Sequence, residues 1–370
     1  MVSQELVSIV IPAFNCAETV GSAVQSCLDQ TYGNIEVIVV NDGSTDGTPV
    51  ALAPFGDRIQ VVHQANRGLA AARSAGQQAA RGTLLAWMDG DDLARPERIR
   101  MQVAALQALP EAGLVCSNFS AFHDSAGDFD FDPAHIDSYY ESLRKSGGIA
   151  GVFPMEKIMQ IDDIQAPVSL RWGHVYEKLL AGNFVHPPTV LARRSLLDRA
   201  GEFDSTLRYS SDYDLLLRAS RAAPFAYIAT PLLRYRRSPR QMSAAAVTGK
   251  LQLETVRILE KIRRDDADLE LRRGNDLRRL SAEALLSAAY ALARTDRAEG
   301  LHLVRKAFAQ RFLPVASLRT LARLAAPNAL IDALKRARKS GSASLAALFL
   351  DTEEMQGILD LALWAAVSLN

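Results

Sequence analysis

The sequence has few cysteines and no long apolar run. Its three cysteines, Cys16, Cys27 and Cys116, are odd in number and lack metal-ligand spacing, so we expect reduced thiols rather than a disulfide framework. The first residues show no signal-peptide pattern, which favours a cytoplasmic location. A run of about 18 uninterrupted apolar residues would be needed to span a membrane, and none occurs, so the sequence predicts no transmembrane helix.

The sequence also has no excess of charge of either sign. The formal net charge is +0 over 370 residues, so bulk electrostatics predict no nucleic-acid partner. Residues 300–345 are the exception, because this stretch contains nine Lys or Arg and only one acid, Asp332. This stretch could make peripheral contact with an anionic membrane at the inner face. The commoner arrangement, a solvated helical face, is favoured over membrane contact.

One nucleotide-binding signature is missing as well. No G-x-G-x-x-G follows the first predicted strand, which argues against a dinucleotide-dependent oxidoreductase.

What is present is an alternation of apolar strands and amphipathic helices. The strand-like runs are 6–14, 35–40, 59–64, 83–89 and 112–123. Helical patterns lie between them, including 15–30 and an alanine-rich stretch at 66–82. The alternation predicts an α/β fold with a mostly parallel, Rossmann-like sheet flanked by helices.

The remainder of the chain divides into two regions. Residues 124–182 are less regular and resemble an insertion over the sheet. The residues after 244 are rich in alanine, leucine and arginine and predict an all-helical region. The sequence therefore predicts two domains, 1–243 and 244–370.

Polar clusters stand at the carboxyl ends of three predicted strands: Pro12–Asn15, Asp42 and Asp89–Asp92. Ligands of open parallel sheets bind at this edge. In "LLAWMDGDDL" the carboxylates Asp89, Asp91 and Asp92 repel one another, and either full hydration or a divalent cation relieves the repulsion.

Other polar residues allow two interpretations each. Asp42 could cap a turn or accept hydrogen bonds from a nucleobase or ribose. Arg67 and Arg73, near a helix start, could contact phosphate or be surface charge. Asp212 and Asp214 begin a helix, where acids also serve as caps.

Six stretches of the sequence occur in the order that they have in a known protein family. They are "VSIVIPAFN", "IEVIVVNDGSTDGT", "NRGLAAARSAG", "LLAWMDGDD", "AGEFDSTLRYSSDYDLLLR" and "LLRYRR". Together they resemble the family 2 glycosyltransferases with the GT-A fold, over roughly residues 6–237. The resemblance implies an inverting enzyme that uses a nucleotide-diphospho-sugar, with a UDP-sugar favoured, and Mn²⁺ or Mg²⁺.

The resemblance also implies residue roles. The residues that would bind the nucleotide-sugar are Pro12, Ala13, Phe14, Asn15, Asp42, Arg67, Arg73, Asp89 and Gly90. Asp91 would be the main metal ligand, aided by Asp89. Asp212 matches the catalytic carboxylate and would accept the proton of an acceptor hydroxyl as that oxygen attacks the anomeric carbon.

The sequence departs from the family pattern at two positions. Ser211 stands where an acid often precedes the catalytic carboxylate, and Ser238 stands where many relatives have a histidine after the "YR" pair. Arg236, Arg237 or Arg240 could supply positive charge in its place. His186, in "FVHPPTV", lies near the acceptor side in the family arrangement, although a lone histidine is more often structural.

The resemblance favours an enzyme of surface polysaccharide or glycolipid biosynthesis, with a glycan or lipid-linked acceptor, and implies that the 124–182 insertion lies on the acceptor side. An alternative is a catalytically inactive sugar-nucleotide-binding or scaffold protein, for which the two departures leave room. A nucleotidyltransferase that makes the activated sugar is less favoured, because the sequence has no glycine-rich phosphate loop with a lysine.

Overall fold

The computed structural model describes residues 5–122, 143–144, 146–162, 164, 166–237 and 249–325. The chain divides into two compact units, Met1–Arg240 and Gln241–Asn370. The predicted domain boundary at 243/244 lies outside the described residues, so that boundary stays a prediction.

Ten strands of the described residues form one mixed sheet in the first unit. The strands are β1 (Val7–Ala13), β2 (Ile35–Asp42), β3 (Gln60–Gln64), β4 (Leu84–Trp87), β5 (Leu93–Ala94), β6 (Leu114–Phe122), β7 (Met155–Met159), β8 (Val168–Gly173), β9 (Leu191–Arg193) and β10 (Phe225–Arg236). Their order is β3-β2-β1-β4-β9-β6-β10-β8-β7, with β5 paired to β10. Strands β3, β2, β1 and β4 are parallel neighbours, and β9 runs antiparallel between β4 and β6.

Helices flank this sheet. They are α1 (Val20–Leu28), α2 (Thr48–Leu52), α3 (Leu69–Ala79), α4 (Arg98–Ala108), α5 (Gly148–Val152), α6 (Tyr176–Leu179), α7 (Arg194–Ala200) and α8 (Ser211–Ala222), with 3₁₀ turns at Ala53–Arg58 and Pro187–Thr189. The predicted α/β fold with flanking helices is confirmed.

Two helix boundaries differ from the predicted ones. Helix α1 begins at Val20 rather than Asn15, because the chain first makes a turn in which Val20 N donates to Cys16 O over 2.9 Å. Helix α3 ends at Ala79 rather than Gly82, because Ala80 has an extended conformation with φ −67° and ψ 140°.

The alanine-rich helix α3 packs closely on the strands that carry the predicted site. Every residue of β1 is buried, as expected for a strand covered on both faces. An added Cβ at Gly76 of α3 would lie 2.2 Å from Val10 Cγ1 and 3.2 Å from Val40 Cγ2. Glycine therefore allows α3 to approach β1 and β2, and this contact fixes the start of α3 relative to the strand ends.

Part of the predicted 124–182 insertion extends the sheet instead of lying over it. Strands β7 and β8 pair antiparallel with each other, and β8 pairs with β10. Residues 123–142 lie outside the described residues. The predicted acceptor-side role of this region stays a prediction.

The described part of the second unit is helical, as predicted. Its helices are α9 (Lys250–Asp265), α10 (Ala267–Leu292), α11 (Arg297–Gln310) and α12 (Pro314–Ala325). They pack around a core that includes the buried residues Leu286, Val304 and Leu324. The apolar face of α12 thus covers the unit's own core. Membrane contact through 300–345 stays a prediction, and residues 326–345 lie outside the described part.

Across the residues that the structure describes, no helix combines the length and apolar character that a membrane span requires. The cysteines Cys16, Cys27 and Cys116 are all free thiols.

Candidate active site

The carboxyl ends of β1, β2 and β4 lie side by side at one edge of the sheet. The strand order reverses at β1, because β2 and β3 continue on one side and β4 lies on the other. Ligands of open α/β sheets bind outside the strand ends at such a switch point. The three predicted polar clusters, Pro12–Asn15, Asp42 and Asp89–Asp92, all lie at these ends.

The turn after β1 is held by the turn after β2. Asn15 Oδ1 accepts a hydrogen bond from Thr45 N over 2.8 Å, and Ala17 N donates to Asp46 Oδ2 over 3.1 Å. Asn15 has a φ of 49°, in the left-handed region that asparagine tolerates better than most residues. These bonds leave the Phe14 ring 48% exposed beside the strand ends.

Asp42 supports the loop that leads into α3. Its Oδ1 accepts from Arg67 N and Gln64 Nε2, over 2.8 Å and 2.7 Å, and its Oδ2 accepts from Gly68 N over 2.8 Å. The residue is only 3% exposed. Its two oxygens are therefore already bonded to donors of the loop before α3, whereas the turn that follows β2 is capped by Asn41, whose Oδ1 accepts from Ser44 N over 3.0 Å. The predicted contact with a nucleobase or ribose stays a prediction.

We expect an Asp42→Ala variant to lose about 2 kcal/mol of the free energy of unfolding, because each hydrogen bond to a charged group contributes about 1.5–3 kcal/mol and its donors are left in a part-buried site. Urea denaturation measures this loss. Asp57→Ala, which removes an exposed carboxylate at the other end of β3, is the control. Unchanged stability together with weakened nucleotide binding would instead make ligand contact the main role of Asp42.

Arg73 and Asp89 form an ion pair at the strand ends. Arg73 Nη2 donates to Asp89 Oδ1 over 2.8 Å, with the arginine side chain 3% exposed and the aspartate 28% exposed. The Arg73 guanidinium also lies 5.9 Å from the centre of the Phe203 ring. One of the two arginines predicted to bind the donor is thus fixed beside the acidic residues. The Arg67 side chain is exposed, and the structure does not bring it to this pair.

The acidic loop, defined as Asp89–Asp92, packs against the end of β1. An added Cβ at Gly90 would lie 3.3 Å from both Pro12 O and Cys16 Sγ, so the backbone approaches β1 closely. Thr19 Oγ1 donates to Gly90 O over 2.9 Å. Asp91 stays partly accessible, and its main-chain oxygen accepts from Arg236 Nε over 2.7 Å. This packing holds the backbone of Asp91 at the carboxyl edge of the sheet.

Asp92 points into the protein. It is fully buried, and its Oδ1 accepts from Arg236 N over 2.9 Å. Burial, followed by the charges of Asp91 and Asp89, raises the pKa of Asp92 well above its usual range. His186 Nε2 lies 3.9 Å from Asp92 Oδ2, and the imidazole packs between the rings of Phe119 and Tyr235. Asp92 and His186 therefore support the loop from inside the protein.

Asp212 lies in the first turn of α8 and belongs electrostatically to the same site. Burial raises the pKa of Asp212, the charge of Arg73 lowers it, and the charge of Asp89 raises it. Asn183 Nδ2 lies 3.4 Å from Asp212 Oδ2 and donates to it. Asp212, with its amide donor Asn183, therefore lies within electrostatic reach of the Arg73–Asp89 ion pair. Asp214, by contrast, forms a 2.7 Å ion pair with Arg218 within the same helix.

Two residues near the site have no clear signal in the sequence. Asn183 has an ordinary loop composition around it, and Arg98 begins an amphipathic helix in which arginine is usually exposed. Only the fold shows that Asn183 contacts Asp212 and that Arg98 is fully buried near the acidic loop.

The next feature is the set of side chains near the acidic loop that could bind a metal ion. Among the residues that the structure describes, no group of three or more His, Cys, Asp or Glu side chains could hold a metal ion. Asp92 is turned inward, and one Asp89 oxygen is bonded to Arg73. Among the described side chains, Asp91 and the second oxygen of Asp89 are the carboxylate oxygens of this loop that stay accessible to a cation.

Residues 8–158 match a family model described as Glycosyl transferase family 2. The matched segment begins in β1 and ends in β7, so it contains the acidic loop and Arg73 but not Asp212.

Two curated proteins illustrate the similarity. The chain is 29% identical over 221 residues to an uncharacterized glycosyltransferase of Rickettsia prowazekii, covering 59% of each chain. It is 30% identical over 215 residues to the succinoglycan biosynthesis protein ExoO of Rhizobium meliloti, covering 58% of this chain and 55% of that protein. The chain therefore spans less than two thirds of the length of these relatives.

Solved structures share the fold. TarS 1-349 of S. aureus superposes with a TM-score of 0.56 at 15% sequence identity, covering 86% of this chain and 83% of that chain. The complex of TarS 1-349 with UDP-GlcNAc gives a TM-score of 0.57 at 17% identity, covering 86% and 84%. The predicted GT-A-type fold is confirmed by these likenesses, which at such identities concern the fold alone.

Proposed function

We propose that the protein moves a sugar from a nucleotide-diphospho-sugar to an acceptor hydroxyl, because residues 8–158 match the model of glycosyl transferase family 2. The observation that carries this proposal is that Asp212 lies within electrostatic reach of the Arg73–Asp89 ion pair, although the three residues come from α8, α3 and the end of β4. A carboxylate beside a cation at a switch point suits proton transfer next to an anionic leaving group.

In this proposal Asp212 is the general base. It takes the proton of the acceptor hydroxyl as that oxygen bonds to the anomeric carbon and the bond to the nucleoside diphosphate breaks. One displacement inverts the anomeric centre. The raised pKa of Asp212 supports the assignment, because burial makes its carboxylate a stronger base than an exposed aspartate. Asn183 orients the carboxylate through its 3.4 Å hydrogen bond.

The donor set fits a hard divalent cation, Mn²⁺ or Mg²⁺, shared with a diphosphate. Such cations often take one or two protein carboxylates and complete their shell with substrate phosphates and water. Asp91 and the remaining oxygen of Asp89 would hold it, which agrees with the absence of a complete site among the described side chains. When bound, the cation would neutralise charge on the departing nucleoside diphosphate. The buried Arg236, bonded to the Asp91 carbonyl, adds positive charge nearby.

A UDP-sugar is the donor that we propose, supported by the complex of the TarS fold neighbour with UDP-GlcNAc. A glycan or lipid-linked acceptor, and a role in surface polysaccharide or glycolipid biosynthesis, follow the printed role of the ExoO relative in succinoglycan biosynthesis. We also propose a cytoplasmic location, where nucleotide-sugars would be available to the site.

The experiment that tests donor binding is a thermal-shift measurement with UDP, GDP and UDP-sugars, with and without Mn²⁺. A ligand that binds the folded state stabilises it by mass action, by about 2.7 kcal/mol at a concentration of 100 Kd. We expect a Mn²⁺-dependent rise in Tm for the wild type that Asp91→Asn abolishes. The charge-matched control, Asp57→Asn, should respond like the wild type. If no nucleotide raises the Tm of the wild type, donor binding is refuted.

A further inference from the structure

Arg98, the first residue of α4, is a fully buried cation close to the acidic loop. Its side chain has no exposed surface, and its Nη2 donates to Trp87 O over 2.9 Å and to Val190 O over 3.2 Å. Nη1 lies 3.5 Å from Met88 Sδ. An arginine buried without a carboxylate acceptor at hydrogen-bond distance is costly, so its contacts call for an explanation.

These contacts join two segments of the chain. Trp87 and Met88 lead directly into Asp89, so Arg98 holds the last residues before the acidic loop. Val190 belongs to another segment, and Trp87 N donates to Val190 O over 3.4 Å. One turn further along α4, Gln102 Nε2 donates to Thr189 O over 2.6 Å. Helix α4 therefore fastens the 189–190 backbone to the end of β4.

The fastened segment also reaches the inner side of the loop. Thr189 N donates back to His186 O over 2.9 Å, and His186 Nε2 lies 3.9 Å from Asp92 Oδ2. Asp92 is in turn bonded to the Arg236 backbone at the end of β10. The loop is thus fixed at both of its ends, by Arg98 where the chain enters it and by Arg236 where the chain leaves it.

We propose that Arg98 is a positioning residue of the donor site, which sets the place of Asp89 and Asp91 by tying the end of β4 to the backbone at Val190. The ligand in this inference is the nucleotide and cation of the proposed function, so the inference rests on that function. Burial lowers the pKa of Arg98 to about 10, so the side chain remains a cation at neutral pH.

A purely electrostatic role predicts the opposite outcome. Arg98 lies within electrostatic reach of Asp92 and Asp89. A buried cation repels a second cation bound nearby, so deleting its charge should tighten Mn²⁺ binding if charge were all that mattered. Loss of positioning should weaken Mn²⁺ binding instead. The sign of the change separates the two roles.

The first measurement is the Mn²⁺ concentration that gives half of the UDP-dependent rise in Tm, in the full chain. For Arg98→Met we expect that concentration to rise about tenfold, as when a residue that orients metal ligands is removed. Arg98→Lys keeps the charge with fewer donors and should lie between Arg98→Met and the wild type. An unchanged or lower Mn²⁺ requirement in Arg98→Met overturns the proposal.

Arg193→Met is the matched structural control. Arg193 also bridges two carbonyls, donating to Ala112 O over 3.0 Å and to Leu106 O over 2.7 Å, but it does so just before the start of β6, at the opposite end of the sheet. We expect Arg193→Met to lower the Tm without ligand and to leave the Mn²⁺ requirement unchanged. If it raises that requirement as much as Arg98→Met does, the effect is general destabilisation and the proposal is wrong.

A second measurement does not depend on the proposed function. Met88 N donates to Val10 O over 3.0 Å and Asp92 N donates to Asp89 O over 3.3 Å, so both amides report on the loop. In ligand-free protein, hydrogen exchange across 88–92 should be faster in Arg98→Met than in Arg193→Met. Equal exchange in the two variants would overturn the positioning role. If wild type fails to respond to UDP and Mn²⁺, the proposed function falls and this exchange measurement alone decides the role of Arg98.

Discussion

An Asp212→Asn variant is expected to bind UDP and Mn²⁺ like the wild type and to lose about 10²–10⁴ in kcat, the usual contribution of a positioned general base. The amide keeps the size of the carboxylate and can still pack beside Asn183, but it cannot accept the acceptor's proton. Binding is measured by thermal shift, and transfer by nucleoside diphosphate release from a UDP-sugar that the screen has identified.

The control for this variant is Asp57→Asn, which removes the same charge at an exposed position away from the strand ends. This control should leave both the binding of UDP and Mn²⁺ and the transfer of the sugar unchanged. A kcat of Asp212→Asn within a few-fold of wild type would mean that another group takes the proton. Normal binding with no transfer in the wild type would favour the inactive sugar-nucleotide-binding alternative.

The raised pKa of Asp212 gives the same experiment a pH dependence. A base must be ionised, so kcat/KM of the wild type should rise with pH through the pKa of Asp212, above the range of an ordinary aspartate. The contribution of Asp212 to stability changes with pH in the opposite direction to kcat/KM. The folded state holds this proton more tightly than the unfolded state, so the contribution of Asp212 to stability falls as pH rises between the two pKa values. At neutral pH, Asp212→Asn should therefore melt no lower than wild type.

The strand ends of the site could be predicted because parallel strands leave a strong local pattern. Val7–Ala13 and Leu84–Trp87 are continuous apolar runs, and each is followed at once by polar residues. The carboxyl ends of parallel strands share one edge of the sheet. The order of elements therefore predicts that Asn15 and the acidic loop lie at the same edge. No comparable rule places the start of α8, so Asp212 was predicted by family resemblance.

The roles of individual carboxylates could not be predicted, because burial and partners decide them. Asp89, Asp91 and Asp92 look alike in the sequence, yet one pairs with Arg73, one remains at the edge and one is fully buried. The three hydrogen bonds that Asp42 accepts from the loop before α3 had no signal in the sequence. Charge and spacing in the sequence identify a cluster of carboxylates. The contacts that each carboxylate makes in the folded protein determine its role.

The second large effect is expected for Arg73→Met, which removes the partner of Asp89. Arg73 is 3% exposed and Asp89 28% exposed, so the variant leaves a partly buried carboxylate without its cation. Breaking a fully buried pair costs about 3–5 kcal/mol, and partial exposure of Asp89 reduces the expected loss of unfolding free energy to about 2 kcal/mol. Urea denaturation measures this loss.

Arg73→Met should also change the chemistry, because the charge of Arg73 lowers the pKa of Asp212. Without Arg73 the pKa of Asp212 rises further. The increase of kcat/KM with pH should therefore occur at a higher pH than in the wild type. Arg272→Met is the control, because it breaks an ion pair with Asp268 in which the side chains are 52% and 74% exposed, and such surface pairs contribute about 0–1 kcal/mol. If Arg73→Met is no less stable than Arg272→Met and its pH profile is that of wild type, then Arg73 and Asp212 do not form one electrostatic site.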